Sequence, residues 1–186
     1  MEHALVVCYS HTGVSLRLAD LLCSHTGWPM GVVTDERPRS GASGTLRCIA
    51  DSLLRRQPAI RYEGPDPSNF RTVVLVSPVW MRGLSGPMRT FVAQYARRLH
   101  RVAVIVTMNT GGWENVVAEI AARTGPAPYV SANAMVKAAF TSKEIEADGF
   151  GGRLEEFARR LQPGAAMPSR APAPFVAIHP GESAGT

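Results

Sequence analysis

Thr72-Val73-Val74-Leu75-Val76-Ser77 is an unbroken run of β-branched and apolar residues, the pattern of a strand covered on both faces. The loop after it, Ser77-Pro78-Val79-Trp80-Met81-Arg82-Gly83-Leu84-Ser85-Gly86-Pro87, leads into Met88, Phe91, Val92, Tyr95 and Leu99. These apolar positions recur at helical spacing, and Pro87 suits a first helical turn. A doubly buried strand followed by an amphipathic helix is half of a β-α-β unit, and the same alternation runs outward in both directions. Upstream, Ala4-Leu5-Val6-Val7-Cys8-Tyr9 is a second buried strand. Val14, Leu18, Leu21 and Leu22 mark a helix that Gly27 and Pro29 end. Met30-Gly31-Val32-Val33 is a weaker strand, and the segment Thr34 to Gly44 is rich in turn residues. The next helix has Leu46, Ile49, Ala50, Leu53 and Leu54 on one face, expected to meet the core, and Pro58 stops it. Downstream, Val102 to Val106 is a strand, and Trp113, Val116, Val117, Ile120 and Ala121 trace a helix closed by Gly125 and Pro126. A last strand is expected within Tyr129 to Phe140, and a last helix through Phe150, Leu154, Phe157, Ala158 and Leu161.

Five strands alternating with helices predict an α/β fold with a three-layer, doubly wound, five-stranded parallel sheet. One domain is expected over residues 1–162. From Pro163 the composition shifts to Pro, Ala, Gly and Ser, so residues 163–186 are expected to form a flexible C-terminal tail. The 186 residues are 45% apolar and 19% charged, enough for one sizeable core, which excludes wholesale disorder. No apolar run approaches the roughly 20 residues of a membrane-spanning helix, and Met1-Glu2-His3 leads straight into a strand. The expectation is a soluble, cytoplasmic protein without a membrane span. Cys8, Cys23 and Cys48 lack C-x-x-C spacing and are expected in the core, and His3, His11, His25, His100 and His179 are scattered, so no metal site is expected.

The formal charge is +5, and of 20 basic residues only Lys137 and Lys143 are lysine. No carboxylate occurs between Asp66 and Glu114, whereas Arg71, Arg82, Arg89, Arg97, Arg98 and Arg101 do. Two readings stand: a solvated helix face, or a patch that attracts an anionic substrate or partner. Nucleic acid is disfavoured, because aromatics total 7% and no reader motif is present.

In doubly wound sheets ligands sit at the carboxyl ends of the strands, which singles out three loops. Ser10-His11-Thr12-Gly13-Val14-Ser15 offers hydroxyls at 10, 12 and 15, close backbone approach at Gly13, and the amides of a helix start, a fit to a phosphomonoester. It has neither the lysine of a G-x-x-x-x-G-K-[ST] loop nor a G-x-G-x-x-G. A plain helix cap would look similar. The loop after the third strand offers Trp80 to a planar ring and Arg82 to an anion beside it, unless Trp80 packs under its own loop or against a partner subunit. Thr107-Met108-Asn109-Thr110-Gly111-Gly112-Trp113-Glu114-Asn115 frees its backbone at two adjacent glycines, although an ordinary strand-to-helix turn also uses Asn and Gly. Asp35, Arg37, Arg39, Gly41 and Gly44 form a turn-rich segment, read as a solvated surface loop in preference to one that reaches the ligand edge. Neither Ser10 nor Ser77 lies in a G-x-S-x-G elbow, so a serine hydrolase is not supported.

These three loops, in this order, resemble those of the flavodoxin-like FMN-binding proteins, over roughly residues 3 to 162. The resemblance implies strand order 2-1-3-4-5 with FMN at the carboxyl edge. It implies that Ser10, Thr12, Gly13, Val14 and Ser15 hold the phosphate. Val79, Trp80 and Gly83 would border the isoalloxazine with Arg82 beside it, and Asn109, Gly111 and Gly112 would close the other side. Electron-carrier flavodoxins are usually acidic, and the Gly-Gly-x-Glu character of the third loop is closer to flavodoxin-like NAD(P)H:quinone reductases. The activity implied is an FMN-dependent oxidoreductase that takes electrons from NAD(P)H or a protein donor and passes them to a small acceptor such as a quinone. No catalytic residue is assigned, and His11 is given no role. Two other readings stay open: an electron carrier working only with a redox partner protein, and a flavin-free interaction protein on the same fold. A homo-oligomer is also left open.

Overall fold

In the computed structural model the run around Leu75 is the central strand β4 (Phe70–Trp80), which lies parallel to β1 (Glu2–Tyr9) and to β6 (Val102–Met108). The residues described are 2–36, 41–109, 111–124, 137–141, 143, 145 and 151–161. The expected tail, 163–186, lies outside them, as do Arg37, Arg39 and most of the segment in which the last strand was sought. The remaining elements are α1 (Val14–Thr26), β2 (Met30–Asp35), α2 (Gly41–Leu53), β3 (Ile60–Glu63), β5 (Gly83–Leu84), α3 (Gly86–Tyr95), α4 (Trp113–Thr124), β7 (Lys137–Thr141) and α5 (Gly151–Leu161). Gly41 and Gly44, expected in a surface loop, therefore belong to a helix. Among the described residues no helix is long and apolar enough to cross a membrane.

The fold is α/β with a mainly parallel central sheet between two helical layers. Among the described residues the sheet has seven strands rather than the expected five, in the order β3-β2-β1-β4-β6-β7 with β5 paired to β4. Its five parallel strands, β2-β1-β4-β6-β7, follow one another as 2-1-3-4-5 in chain order. Both strands missed in the sequence are antiparallel: β3 lies against β2, and β5 folds back on β4. Alternate residues of each buried strand serve opposite layers. Leu5, Val7, Val73, Leu75, Val104 and Val106 pack with Met88 and Phe91 of α3 and Val116 and Ile120 of α4. Val6, Cys8, Val74, Val76, Ala103 and Ile105 pack with Leu18 and Leu22 of α1 and Leu154 and Phe157 of α5. Full burial of each large apolar side chain contributes about 1.5–3 kcal/mol. Edge strand β3 is held by Tyr62, whose ring covers Gly31: a Cβ there would meet the Tyr62 hydroxyl at 2.3 Å.

Two sequence expectations are reversed on the α3 side. Arg89, counted with the surface arginines, is fully buried. Its guanidinium donates to Glu119 Oε1 at 2.5 Å and Oε2 at 3.2 Å, and to the carbonyls of Asp51 (3.1 Å), Arg56 (3.2 Å) and Leu84 (2.8 Å). Glu119 also accepts from Arg123 at 3.1 Å. A buried cation needs such a set of acceptors, because desolvation is costly unless the charge is paired and hydrogen-bonded. The second reversal concerns α2, whose apolar stripe points outward: Leu46, Leu53 and Leu54 are 66%, 59% and 61% exposed, while Gly44, Cys48, Asp51 and Ser52 face inward. The contacts explain it. Asp51 supplies a carbonyl to Arg89, Ser52 Oγ donates to the Leu84 carbonyl at 3.2 Å, and a Cβ on Gly86 would sit 3.1 Å from Asp51 Cβ. The glycine at 86 permits so close a seat on α3.

Replacing Arg89 with Met leaves Glu119 half-paired in a mostly buried site, and a urea unfolding curve is expected to show a loss of about 3–5 kcal/mol at unchanged slope. Glu119 also sets an acid limit. Burial pushes its carboxyl up, but the hydrogen bond and charge of Arg89, with Arg123 behind them, outweigh burial and hold it below the ordinary range. A depressed folded pKa gives stability that is complete above the unfolded value, about 4.3, and is lost as pH falls through the folded one. Glu119→Gln is therefore expected to flatten the acid limb of the stability profile below about pH 4.3, checked by unfolding at stepped pH.

Candidate functional site

The carboxyl ends of β1, β4 and β6 carry the three loops singled out in the sequence. After β1 the chain turns at Gly13, whose φ of 88° is the left-handed region that favours glycine. Gly13 is the N-cap of α1, with no side-chain cap and no acidic residue in the first turn. Its own amide donates to Ser10 Oγ at 3.1 Å. The first-turn amides have no intrahelical acceptor, and beside them Thr12 and Gly13 are exposed, with no atom within 4 Å of where a Gly13 Cβ would stand. A helix start of this kind attracts anions. Ser15 departs from expectation. It is buried, and its hydroxyl is engaged with Thr107 Oγ1 of β6 at 2.7 Å, so it ties α1 to the sheet rather than offering a donor outward.

After β4 the chain reverses in a two-residue hairpin. Trp80 pairs with Gly83, and Met81 and Arg82 between them have φ of 46° and 59°. Positive φ at both central residues is what a type I′ turn requires, normally met by Asn-Gly. In Met and Arg it costs about 1 kcal/mol or more each. The surroundings hold the turn in place. Asn115 Nδ2 donates to the Arg82 carbonyl at 3.0 Å, and Gly112, at φ 92°, backs directly on Arg82: a Cβ there would lie 2.5 Å from Arg82 Cα. The second and third loops are thus in van der Waals contact through a position only glycine fills. Gly111 lies at φ 122°, Asn109 is exposed, and Thr110 is outside the described residues.

Trp80 joins the second loop to the first. Its ring stands edge-on to His11, with centroids 5.7 Å apart and planes at 73°. Its Nε1 is buried with no hydrogen-bond partner among the described residues. An unpaired buried donor is costly, and it marks a position where a ligand acceptor would be stabilising. Val79 is half-buried against the core, whereas Met81 and Arg82 are exposed at the hairpin tip. The loops therefore bring together Ser10, Thr12, Gly13, Trp80, Arg82, Gly83 and Gly112. Sequence reasoning gave no role to His11 and missed Asn115: a histidine in a turn carries no signal of an aromatic partner 69 positions away, and a single Asn in a helix's first turn carries none of a bond to a residue 33 positions away. Thiol chemistry is disfavoured nearby, because burial, with Asp20 adding to it, pushes Cys8 up to about 12 and Cys23 up to about 11.

Solved structures share this architecture. A flavoprotein from Lactobacillus acidophilus NCFM in complex with FMN matches 81% of this chain and 99% of its own, at 17% identity and a TM-score of 0.59. A protein from Bacteroides eggerthii DSM 20697 with a flavoprotein designation matches 85% of this chain and 99% of its own, at 18% identity and a TM-score of 0.61. The fold is flavodoxin-like. At these identities the likeness is one of fold. No protein-family model matches the chain, and no curated protein is similar to it.

In this flavodoxin-like chain Gly112→Ala would place a methyl group into the Arg82 backbone and impose a left-handed conformation on alanine. A stability loss of about 1–3 kcal/mol is expected, read by thermal melt.

Proposed function

We propose that residues 1–162 form an FMN-binding unit and that the protein is an FMN-dependent oxidoreductase, passing electrons from a reduced nicotinamide or a protein donor to a small acceptor such as a quinone. The observation that carries this reading is the meeting of a helix start at Gly13 that has no side-chain cap with the indole N–H of Trp80, which has no partner among the described residues, at one sheet edge. The fold supports it, since the Lactobacillus acidophilus NCFM flavoprotein of the same architecture is a complex with FMN.

The residues present fit such a group. The amides of Val14 and Ser15, with the hydroxyls of Ser10 and Thr12, would hold the phosphate. The Ser15 hydroxyl would stay with Thr107. Trp80 would give an aromatic face and a donor, Val79 and Gly83 would border it, and Asn109, Gly111 and Gly112 would form the facing wall. When bound, FMN supplies reversible one- and two-electron transfer. The chain supplies position and charge: the Arg82 guanidinium, exposed at the hairpin tip, favours negative charge nearby and draws in anionic donors. Its backbone, pinned by Asn115 and Gly112, spares that arrangement a reorganisation cost on binding.

The test is a fluorescence titration of the full chain with FMN and, in parallel, riboflavin. The first-loop assignment predicts FMN binding at least about tenfold tighter, a difference of about 1.4 kcal/mol from the phosphate. Equal affinities would remove the helix start from the site, and failure of both ligands to bind would overturn the proposal.

A further inference from the structure

The outward stripe of α2 is the feature that the flavin reading does not use. Amphipathic helices on a sheet normally turn their leucines to the core. Here Leu46 and Leu53 lie two turns apart at the centre of the outer face with the partly exposed Ala50 between them, and Leu54 continues the stripe past the helix end. Cations flank it: Arg47, Arg55 and Arg56 are all exposed, and the only carboxylate from 41 to 57, Asp51, faces inward.

We propose that this face docks on an anionic lipid surface, with the leucines in the headgroup–acyl boundary and the three arginines on lipid phosphates. The combination of an apolar stripe and a cationic margin on one helix is that of interfacial helices, in which apolar burial and attraction to anionic lipid add. Two features set a second copy of the chain aside as the occupant. A symmetric pairing of this face would bring the arginines of one copy, Arg47, Arg55 and Arg56, near those of the other, an arrangement of like charges. The exposed leucines also amount to roughly a few hundred Å² of apolar surface, whereas a stable protein interface takes about 800 Å² per partner. A lipid surface requires neither shape complementarity nor that area. The inference does not rest on FMN, because α2 is seated by Arg89 and Ser52 whether or not the loops hold a ligand.

The experiment is flotation of the full chain with vesicles of equal parts phosphatidylcholine and phosphatidylglycerol, compared with vesicles of phosphatidylcholine alone. Binding to the anionic vesicles is expected, with loss in about 1 M salt, where the Debye length falls to about 3 Å. The double variant Leu46→Ser/Leu53→Ser is expected to weaken it about tenfold or more, and Arg47→Gln/Arg55→Gln to weaken it as well. All four positions are exposed, so the variants should keep the parent's melting temperature. Arg97→Gln, at an exposed position outside α2, is expected to bind as the parent does. Absence of binding to the anionic vesicles, equal binding to neutral ones, or binding that survives the leucine variants would each overturn the proposal. So would a dimer in sedimentation velocity that Leu53→Ser dissociates.

Discussion

The arrangement around the sheet depends on one buried cation. Arg89 sits in α3 with no exposed surface and reaches three other elements: the carbonyls at the end of α2, the Leu84 carbonyl of β5, and the carboxylate of Glu119 in α4. An unpaired guanidinium in that position would be untenable. Each of those elements must therefore come to it at hydrogen-bond distance, and their relative placement follows. Well-packed apolar residues in place of both Arg89 and Glu119 could serve stability as well or better. What such a pair would lack is direction. Five N–H donors in a rigid fork specify where three backbone carbonyls and a carboxylate stand, and a methyl group does not.

That specification reaches the candidate site through β5. Leu84 is anchored by Arg89 and Ser52 on one side of the hairpin, and Arg82 is anchored by Asn115 and Gly112 on the other. Between the anchors, Met81 and Arg82 keep a conformation that neither residue favours. Strain of this kind persists only where the surroundings over-determine the backbone. The outcome is that Trp80, at the start of the turn, has a fixed approach to His11 and the helix start of α1. Packing far from the loops and the geometry of the loops are thus one problem.

The sequence made the central strands plain because both their faces are buried, which leaves no polar alternation to confuse the reading. The two strands it concealed are of the opposite kind. Ile60–Glu63 is a short edge strand of alternating burial, and Gly83–Leu84 is part of a turn. The three loops were legible as loops, since Gly, Ser, Asn and Pro announce themselves, but the destination of a hydroxyl was not: Ser15 reads the same whether it meets a phosphate or Thr107. Arg89 was hidden for a related reason. Its partner Glu119 is 30 residues away, and a helix with apolar residues at 88, 91 and 92 gives no local sign that position 89 is also enclosed.

Periodicity fixes the axis of an amphipathic helix but not which side faces in. For α2 the usual rule, leucines to the core, is overridden because the neighbouring helix brings a cation that needs carbonyls and, at Gly86, a close seat for Asp51. The same reversal changes where the chain's positive charge acts. Arg89, neutralised by Glu119, contributes nothing to the surface field, whereas Arg47, Arg55 and Arg56 stand in solvent beside exposed leucines. Turning α2 inward would bury three leucines and withdraw Asp51 and Ser52 from Arg89 and Leu84, so the buried cation and the apolar outer face are two sides of one packing choice. The excess of arginine is accordingly no uniform property of the surface. Part of it organises the interior, and the part on α2 lies where the interior's demands have left an apolar stripe in contact with water.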